Sequence, residues 1–299
     1  MKLIKNIVVL LLMISTLFSV VSCEEKEPHN GNTNGGNGNT EEFSSYEITV
    51  ENPLGKPLSG VTVYLHLDAG ADYNICATPV TTDSNGKVSF NLDTSKEYSV
   101  GLSGYPDAYT AKSGLNRSER YPINSKNTTI TLDVAENPKS PKKYSVGDFM
   151  VDFTIANVNG VEYNLYDMLA EKRAVVLNFW FCGCGPCKSE FPALNSAYNT
   201  YKNSIEVLAV NDYPAANESA ANVKEYGVTN SLDMPLFKTE YGSAVSLSHF
   251  NTTGYPTTVI IDRYGVISYI DDGAITSVAK WEEIFNYFIS DDYNGTPYN

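Results

Sequence analysis

The stretch NFWFCGCGPCKSEFP, residues 178–192, holds two cysteines separated by a Gly-Pro pair, Cys184 and Cys187. An apolar run at 174–181 leads into them and predicts a buried strand, and residues 188–203 after them predict a helix. Cysteines at this spacing on a strand-to-helix turn can close a reversible disulfide. The first of them lies at the helix N-terminus, where unpaired N–H groups and the helix dipole stabilise a thiolate. This setting can lower a cysteine pKa from about 8.5 to roughly 7 or below, so the stretch predicts a reactive thiol.

Three segments of the second half of the chain resemble one protein family. The first is F-W-x-x-x-C-G-P-C with K-x-E-F-P behind it, the second is TGYPTTVIID at 253–262, and the third is VGDFMVDFTI at 146–155. Together they resemble the thioredoxin superfamily, and specifically its tethered, extracytoplasmic TlpA/ResA-like branch. The resemblance covers about residues 145–289. It implies an α/β thioredoxin fold for residues 145–292, with a central mixed sheet flanked by helices.

The resemblance also implies a chemistry, which is thiol–disulfide exchange through a redox-active Cys184–Cys187 disulfide with no other cofactor. Cys184 lies at the mouth of the turn, where we expect the more exposed thiol, and Cys187 lies nearly one helical turn further on. We therefore expect Cys184 to attack a substrate disulfide and Cys187 to resolve the mixed disulfide. In the resembling family the proline that matches Pro256 is cis and faces the cysteine pair.

Glu190 is the third expected catalytic residue. It lies one helical turn past Cys187, and therefore near the same face of the predicted helix. Members of the resembling branch carry a glutamate at this place, linked to cysteine protonation, so the resemblance implies a proton-transfer role for Glu190. A solvated helix carboxylate is the alternative. Asn178 favours the first interpretation, because it stands where cytoplasmic thioredoxins carry a buried acid.

The residues around the cysteines and the matching proline form the expected substrate-binding set. Tyr255 precedes the proline, and its backbone would pair with an extended substrate chain as an added strand. Pro186 suits the first helical turn, which does not need its missing N–H. The predicted set is Trp180, Gly185, Pro186, Tyr255, Pro256 and Thr257. Of these, Trp180 is expected to belong mainly to the core and to line the site in part.

Two residues next to the first cysteine depart from the family pattern. Gly183 stands where the family usually carries a tryptophan, which removes a flat apolar wall and loosens the turn. Cys182 adds a third thiol two residues before Cys184. It could form a mixed or alternative disulfide, join a soft-metal site, or be a small, partly buried hydrophobic residue at the strand end. The sequence leaves these three interpretations open.

The N-terminus resembles a bacterial lipoprotein signal. Residues 1–22 begin with Lys2 and Lys5 and continue with an apolar core of about 15 residues, which is short for a membrane span and suits a secretory signal. Their end, Val-Val-Ser before Cys23, resembles a lipobox. We therefore predict a lipidated Cys23 and an extracytoplasmic location at a membrane of the cell envelope. An uncleaved anchor or a plain secretory signal is the alternative.

The composition of the next segment and of the whole chain limits the possible partners. Residues 23–43 are polar and rich in Asn and Gly, which predicts a flexible tether. The formal net charge of −14, without a basic stripe, argues against nucleic-acid binding. The three histidines lie far apart in the sequence, so no metal site is predicted.

Residues 44–134 alternate between apolar and polar side chains in at least six short runs, which predicts an all-β sandwich domain. Asn85-Gly86 lies between two such runs and predicts a hairpin. The pattern resembles prealbumin-like or Cna-B-like modules of Ig-like architecture, and a spacer role or a partner- or glycan-binding role fits it. Cys76 has no partner in this segment and is expected to be a buried free thiol. A Pro/Lys-rich linker at 135–144 follows.

These observations predict an envelope-anchored thiol–disulfide oxidoreductase that reduces disulfides of extracytoplasmic proteins. Its Gly-Pro pair resembles that of reducing thioredoxins, whose potential is about −270 mV. Protein thiols and disulfides would be the substrates, and a membrane thiol reductase would supply the electrons. Lipidated Cys23 would attach the protein to the membrane. Two alternatives stay open: a copper- or zinc-handling protein that uses Cys182, Cys184 and Cys187, and a binding module with a degenerate redox domain.

Overall fold

The computed structural model describes residues 42–69, 72–75, 77–106, 109–110, 120–134, 143–215, 218–252 and 254–298. This part of the chain divides into two compact units, the first built mainly of residues 58–104 and the second mainly of residues 131–298. Segments 51–57 and 105–110 group with the second unit. The predicted signal, nearly all of the predicted tether, Cys23, Cys76 and most of the predicted linker lie outside the described residues. Phe43, the last residue of the predicted tether, instead begins a strand.

The N-terminal region is rich in β-strands, as its alternating sequence predicts. The strands are β1 (Phe43–Glu51), β2 (Thr62–Ala69), β3 (Asp72–Ile75), β4 (Val80–Thr81), β5 (Lys87–Asp93), β6 (Tyr98–Ser103), β7 (Tyr109–Thr110), β8 (Tyr121–Pro122), β9 (Asn127–Thr131) and β10 (Asp133–Val134). One sheet has the order β5-β1-β9, and another has the order β3-β2-β6-β8 with β4 also paired to β2. Strands β7 and β10 pair with each other and group with the second unit.

The predicted turn at Asn85-Gly86 forms, but it does not close a hairpin. Gly86 has a φ of 70°, and the Asp83 carboxylate accepts the backbone N–H groups of Asn85 and Lys87. The strand before the turn, β4, pairs with β2, whereas the strand after it, β5, pairs with β1. The hairpin prediction is therefore wrong, because the two flanking strands continue into different sheets.

The second unit alternates strands and helices around a five-stranded mixed sheet. Its elements after residue 143 are β11 (Thr154–Ala156), β12 (Glu162–Asn164), α1 (Leu165–Glu171), β13 (Ala174–Trp180), α2 (Gly185–Tyr201), β14 (Ile205–Asn211), α3 (Ala220–Thr229), β15 (Leu236–Lys238), a 3₁₀ helix (Leu247–His249), β16 (Thr257–Asp262), β17 (Ile267–Asp272) and α4 (Val278–Ile289). The sheet order is β15-β14-β13-β16-β17, and β11 pairs with β12. Strands β13, β14 and β15 are parallel, and β16 is antiparallel to β13 and to β17.

Strand β13 is the central strand of this sheet, and all seven of its residues are buried. Val176 and Trp180 belong to a hydrophobic cluster with side chains of α2 and α4. Val175 and Phe179 belong to a second cluster with side chains of α1, on the opposite face. Helices therefore cover both faces, which explains why the strand has a nearly continuous apolar sequence. The loop that leads to the cysteines therefore starts from a strand that is buried along its whole length.

Candidate active site

Cys184 forms the N-cap of helix α2. Its Sγ accepts the backbone N–H of Cys187 at 3.1 Å, and Pro186 lies in the first helical turn. The cap explains why the helix begins at Gly185, before the predicted start at 188. Cys184 and Cys187 are joined in a disulfide, with Cα atoms 5.3 Å apart. In the reduced protein the same N–H group would stabilise a Cys184 thiolate, because a helix N-terminus favours negative charge.

The two cysteines of the disulfide differ in solvent access in the expected order, although both are buried. Cys184 is 3% exposed and Cys187 is 0% exposed. Gly185 and Pro186 between them are exposed. The expected order of exposure is thus confirmed, and in the disulfide form the surface next to the sulfur atoms belongs to the Gly-Pro pair.

The peptide bond between Tyr255 and Pro256 is cis, which confirms the expectation drawn from the family resemblance. Thr257, the first residue of β16, pairs with Phe179 near the end of β13. Pro256 therefore lies at the same end of the sheet as the loop that carries Cys184. Tyr255 also packs against the hydrophobic cluster that contains both cysteines.

Glu190 is fully buried, at 0% exposure, in the early part of α2. Its carboxylate accepts the side-chain amide of Asn178 at 2.9 Å and the backbone N–H of Ile275 at 2.9 Å. Burial raises the pKa of Glu190 to about 7, although both hydrogen bonds oppose this rise. The alternative of a solvated helix carboxylate is therefore wrong. A carboxyl group with a pKa near neutrality can both accept and release a proton at physiological pH.

Three side chains of the predicted substrate-binding set are buried, those of Trp180, Pro256 and Thr257. Trp180 is 0% exposed and packs edge-on against Phe191 of α2, with ring centroids 4.9 Å apart. Thr257 is also buried, and its hydroxyl donates to the Gly254 carbonyl at 2.5 Å. Both residues belong to strands whose residues are all buried. The side chains of Trp180 and Thr257 therefore belong to the core, as expected in the main for Trp180, and neither offers a surface to a substrate.

Asp212 is a residue of this site that the sequence did not single out. It is fully buried, and its Oδ1 accepts the Tyr255 hydroxyl at 2.7 Å. Its Oδ2 accepts the Ser246 hydroxyl at 2.8 Å and the Leu247 N–H at 2.7 Å. Asp212 thus fixes the residue before the cis proline to the loop after β14. The only sequence signal was a polar pair, Asn211-Asp212, directly after an apolar run.

Cys182 is a half-buried free thiol beside a buried carboxylate. Glu218 is 1% exposed, and its Oε2 accepts the backbone N–H of Cys182 at 2.8 Å and the side-chain amide of Asn211 at 2.6 Å. Burial and this carboxylate raise the pKa of Cys182 to about 12. The thiol therefore stays protonated near neutral pH and is a poor nucleophile. Of the three interpretations of Cys182, the partly buried residue at the strand end fits this environment.

Replacing Glu218 with glutamine should make Cys182 more reactive. The amide keeps an acceptor for the Cys182 N–H but removes the negative charge that opposes the thiolate, so the thiol pKa falls. In a Cys184→Ser/Cys187→Ser background, we expect roughly tenfold faster iodoacetamide labelling of Cys182 for each unit of that fall. Mass spectrometry of the labelled peptide over a pH series measures the effect. Glu225→Gln, at an exposed position of α3, is the control, and equal profiles for the two variants would contradict the prediction.

The described part of the chain holds neither a candidate metal site nor a membrane-spanning helix. Within it, no group of three or more histidine, cysteine, aspartate or glutamate side chains is arranged to hold a metal ion. None of its helices combines the length and the apolar character that crossing a bilayer requires. The predicted lipidation site, Cys23, lies outside these residues.

The second unit has known relatives. The AhpC/TSA family matches residues 146–270. The thioredoxin-like protein YneN of Bacillus subtilis is 34% identical over 125 residues, which are 42% of this chain and 70% of YneN. The thiol-disulfide oxidoreductase ResA of Geobacillus kaustophilus is 32% identical over 133 residues, which are 44% of this chain and 72% of ResA. The crystal structure of the thioredoxin domain of a thiol-disulfide oxidoreductase from Bacteroides vulgatus is similar with a TM-score of 0.40 and 20% identity, covering 48% of this chain and 100% of that domain.

Proposed function

Because this chain belongs to the family of thioredoxin-like thiol-disulfide oxidoreductases, we propose that it reduces disulfide bonds of proteins outside the cytoplasm. The observation that carries this proposal is the Cys184–Cys187 disulfide at the N-terminus of α2. The cis Pro256 lies at the same end of the sheet, where an extended substrate can approach the disulfide. We assign the attacking role to Cys184, since it is the N-cap, and the resolving role to the more deeply buried Cys187.

The reaction starts from the reduced pair. The Cys184 thiolate attacks one sulfur of the substrate disulfide, so that a Cys184–substrate bond forms, the substrate S–S bond breaks, and the other substrate sulfur leaves as a thiolate that takes up a proton. Cys187 then loses its proton and attacks Sγ of Cys184, which closes the disulfide and releases the second substrate thiol. Two electrons and two protons pass to the substrate. A dithiol donor, in our proposal a membrane thiol reductase, then reduces the pair again.

Glu190 is the proposed acceptor of the Cys187 proton. It lies three positions further along α2, and its pKa of about 7 suits proton transfer at neutral pH. Asn178 and Ile275 each donate a hydrogen bond to one of its oxygens, which holds the carboxyl group in one orientation. Burial of this group keeps water from competing for the proton.

The proposed substrate surface is made by backbone and small residues rather than by buried side chains. Gly185 and Pro186 are exposed beside the disulfide. The half-buried Tyr255 and the buried Pro256 supply the backbone of the neighbouring loop, where an extended substrate chain can add as a strand. The side chains of Trp180 and Thr257, the remaining members of the predicted set, lie in the core.

The equilibrium reduction potential of the Cys184–Cys187 pair tests the direction of the reaction. A reductase should have a potential near or below about −270 mV, whereas a potential near about −120 mV belongs to an oxidant. Alkylation of the protein after equilibration in dithiothreitol buffers measures it, with insulin reduction as the activity assay. A folded protein without exchange activity would favour the binding-module alternative, and a tight stoichiometric copper or zinc ion on the reduced protein would favour metal handling.

We further propose that lipidated Cys23 holds the enzyme at a membrane of the cell envelope, with residues 23–43 as tether and residues 44–134 as a β-sandwich spacer. A single acyl chain binds only marginally, so stable anchoring needs the several chains of a bacterial lipoprotein. The tether then keeps the catalytic unit close to membrane partners and raises its effective concentration toward them.

Cys23→Ala should release the protein from the membrane fraction and leave thiol exchange in vitro intact. The lipid is lost with the cysteine, while the catalytic unit is unchanged. Fractionation with immunoblotting and an insulin-reduction assay measure the two effects. A variant that stays in the membrane fraction, or a mature N-terminus that maps elsewhere, would contradict the lipoprotein proposal.

A further inference from the structure

An aromatic ring covers the turn that precedes Cys184. A Cβ atom added to Gly183 would lie 3.1 Å from Cε2 of the Phe181 ring, closer than nine in ten real Cβ contacts, so the ring would have to shift by a few tenths of an ångström. Glycine at this position therefore leaves room for the ring of Phe181. The apolar surface beside the first reactive cysteine thus comes from Phe181, not from residue 183.

Phe181 is one member of a cluster that joins three loops. Its ring stacks on Tyr213, with centroids 4.4 Å apart and an interplanar angle of 18°. It also meets Tyr255 edge-on at 5.3 Å, and Tyr213 meets Tyr255 edge-on at 5.7 Å. We call Phe181, Tyr213 and Tyr255 the aromatic cluster. It connects the cysteine loop, the loop after β14 and the residue before the cis proline.

The aromatic cluster is both fixed and accessible. The Tyr255 hydroxyl donates to the fully buried Asp212, which holds that ring in place. Tyr213 is 37% exposed, and the other two rings are half-buried. A partner side chain therefore meets rings that are already ordered, and little further ordering is needed on binding.

We propose that the aromatic cluster is a specificity subsite for substrate segments in which an aromatic or aliphatic side chain flanks the reacting cysteine. The inference rests on the proposed function, because the cluster acts only if Cys184 attacks a protein disulfide. Phe181 and Tyr255 both pack against the buried cluster that contains Cys184 and Cys187, so a substrate cysteine at the disulfide brings its neighbouring side chain to the rings.

Charge around the cluster disfavours an acidic flank. The buried carboxylate of Asp212 accepts the Tyr255 hydroxyl, and that of Glu218 accepts the N–H of Cys182, the residue after Phe181. The whole chain also carries a formal net charge of −14. Lys238 is a neighbouring cation, and its Nζ already donates hydrogen bonds to the backbone carbonyls of Tyr213 and Thr239. The net negative charge therefore still repels an aspartate flank, whereas an aromatic flank gains ring contacts.

Homodimeric peptide disulfides test the subsite. The peptides have the sequence Gly-X-Cys-Gly-Gly, where X is Phe, Leu, Asp or Lys. Each peptide disulfide is mixed with the reduced protein, and the second-order rate constant for oxidation of the Cys184–Cys187 pair is measured. We expect the Phe peptide to react about tenfold faster than the Asp peptide. Tyr213→Ala should reduce this ratio to about twofold or less. Tyr213→Phe keeps the ring and should keep the ratio, as should Tyr105→Ala, which changes a half-buried tyrosine of a loop outside the cluster.

The possible outcomes separate the subsite from the proposed function. An unchanged Phe-to-Asp ratio in Tyr213→Ala would overturn the subsite, as would a wild-type protein that oxidises all four peptides at equal rates. A Lys peptide that reacts faster than the Phe peptide and loses this advantage in Tyr213→Ala would also overturn it, because the rings, and not the net charge of the chain, would then select a cation. Failure of the folded, reduced wild-type protein to react with any peptide would instead overturn the proposed reductase function.

Discussion

A Cys187→Ser variant is expected to accumulate mixed disulfides with its substrates, whereas a Cys184→Ser variant should form almost none. Cys184 caps α2 and accepts the N–H of residue 187, a geometry that stabilises the attacking thiolate. Cys187 is 0% exposed and is suited only to the second, intramolecular step. Both variants should lose turnover down to the rate of uncatalysed thiol exchange, and only the trapped species distinguishes them.

Trapping is measured by non-reducing electrophoresis after acid quenching, with mass spectrometry to identify the linked cysteine. Cys182→Ser is the matched control, since its thiol lies two residues from the same site but is held protonated beside Glu218. We expect this control to keep turnover and to trap nothing. The reverse pattern, with trapping in Cys184→Ser, would exchange the two roles, and trapping through Cys182 would assign it a role in exchange.

The elements that carry the cysteines could be predicted because their signals are local. The run AVVLNFW has the nearly continuous apolar character of a strand covered on both faces, and β13 is such a strand. The Cys-Gly-Pro-Cys motif at its end predicted a helix N-terminus, and α2 begins there. Local signals failed at Asn85-Gly86, where the turn formed but the flanking strands found partners in different sheets. Turn chemistry fixes the chain reversal and not the partner of each strand.

The surroundings of the site were not predictable, because they depend on contacts between distant residues. The bond from Tyr255 to Asp212 spans 43 positions, and the bond from Ile275 to Glu190 spans 85. No spacing rule connects such pairs. Glu190 shows the consequence: helical periodicity placed it near Cys187, yet a glutamate on a helix is usually solvated, and only the tertiary structure shows that it is buried.

Glu190→Gln is expected to stabilise the oxidised protein at pH 8 and to remove part of its pH dependence. The pKa of Glu190 is about 7 in the folded protein and 4.5 as its ordinary value. Between these values the folded state binds more protons than the unfolded state, so this group makes stability fall as pH rises from about 4.5 to about 7. The difference corresponds to about 3 kcal/mol of unfolding free energy. Glutamine does not ionise, so the variant should not lose this amount. Its NH2 group replaces one acceptor oxygen and can donate to Oδ1 of Asn178, which accepts no hydrogen bond in the wild type, once the Asn178 amide turns over.

The two tryptophans of the chain, Trp180 and Trp281, both lie in the second unit, so urea unfolding followed by their fluorescence reports on that unit alone. Glu171→Gln, at an exposed position of α1, is the control and should change stability by less than about 0.5 kcal/mol. If Glu190→Gln has the same slope of stability against pH as the wild type, the buried carboxyl does not titrate as proposed. Alkylation of Cys184 in the reduced wild-type and Glu190→Gln proteins tests the proton-transfer role of Glu190 separately. The pH profile of alkylation can differ between the two proteins only if Glu190 influences thiol protonation. A stabilised variant with an unchanged alkylation profile would leave Glu190 as a buried acid that costs stability and moves no proton.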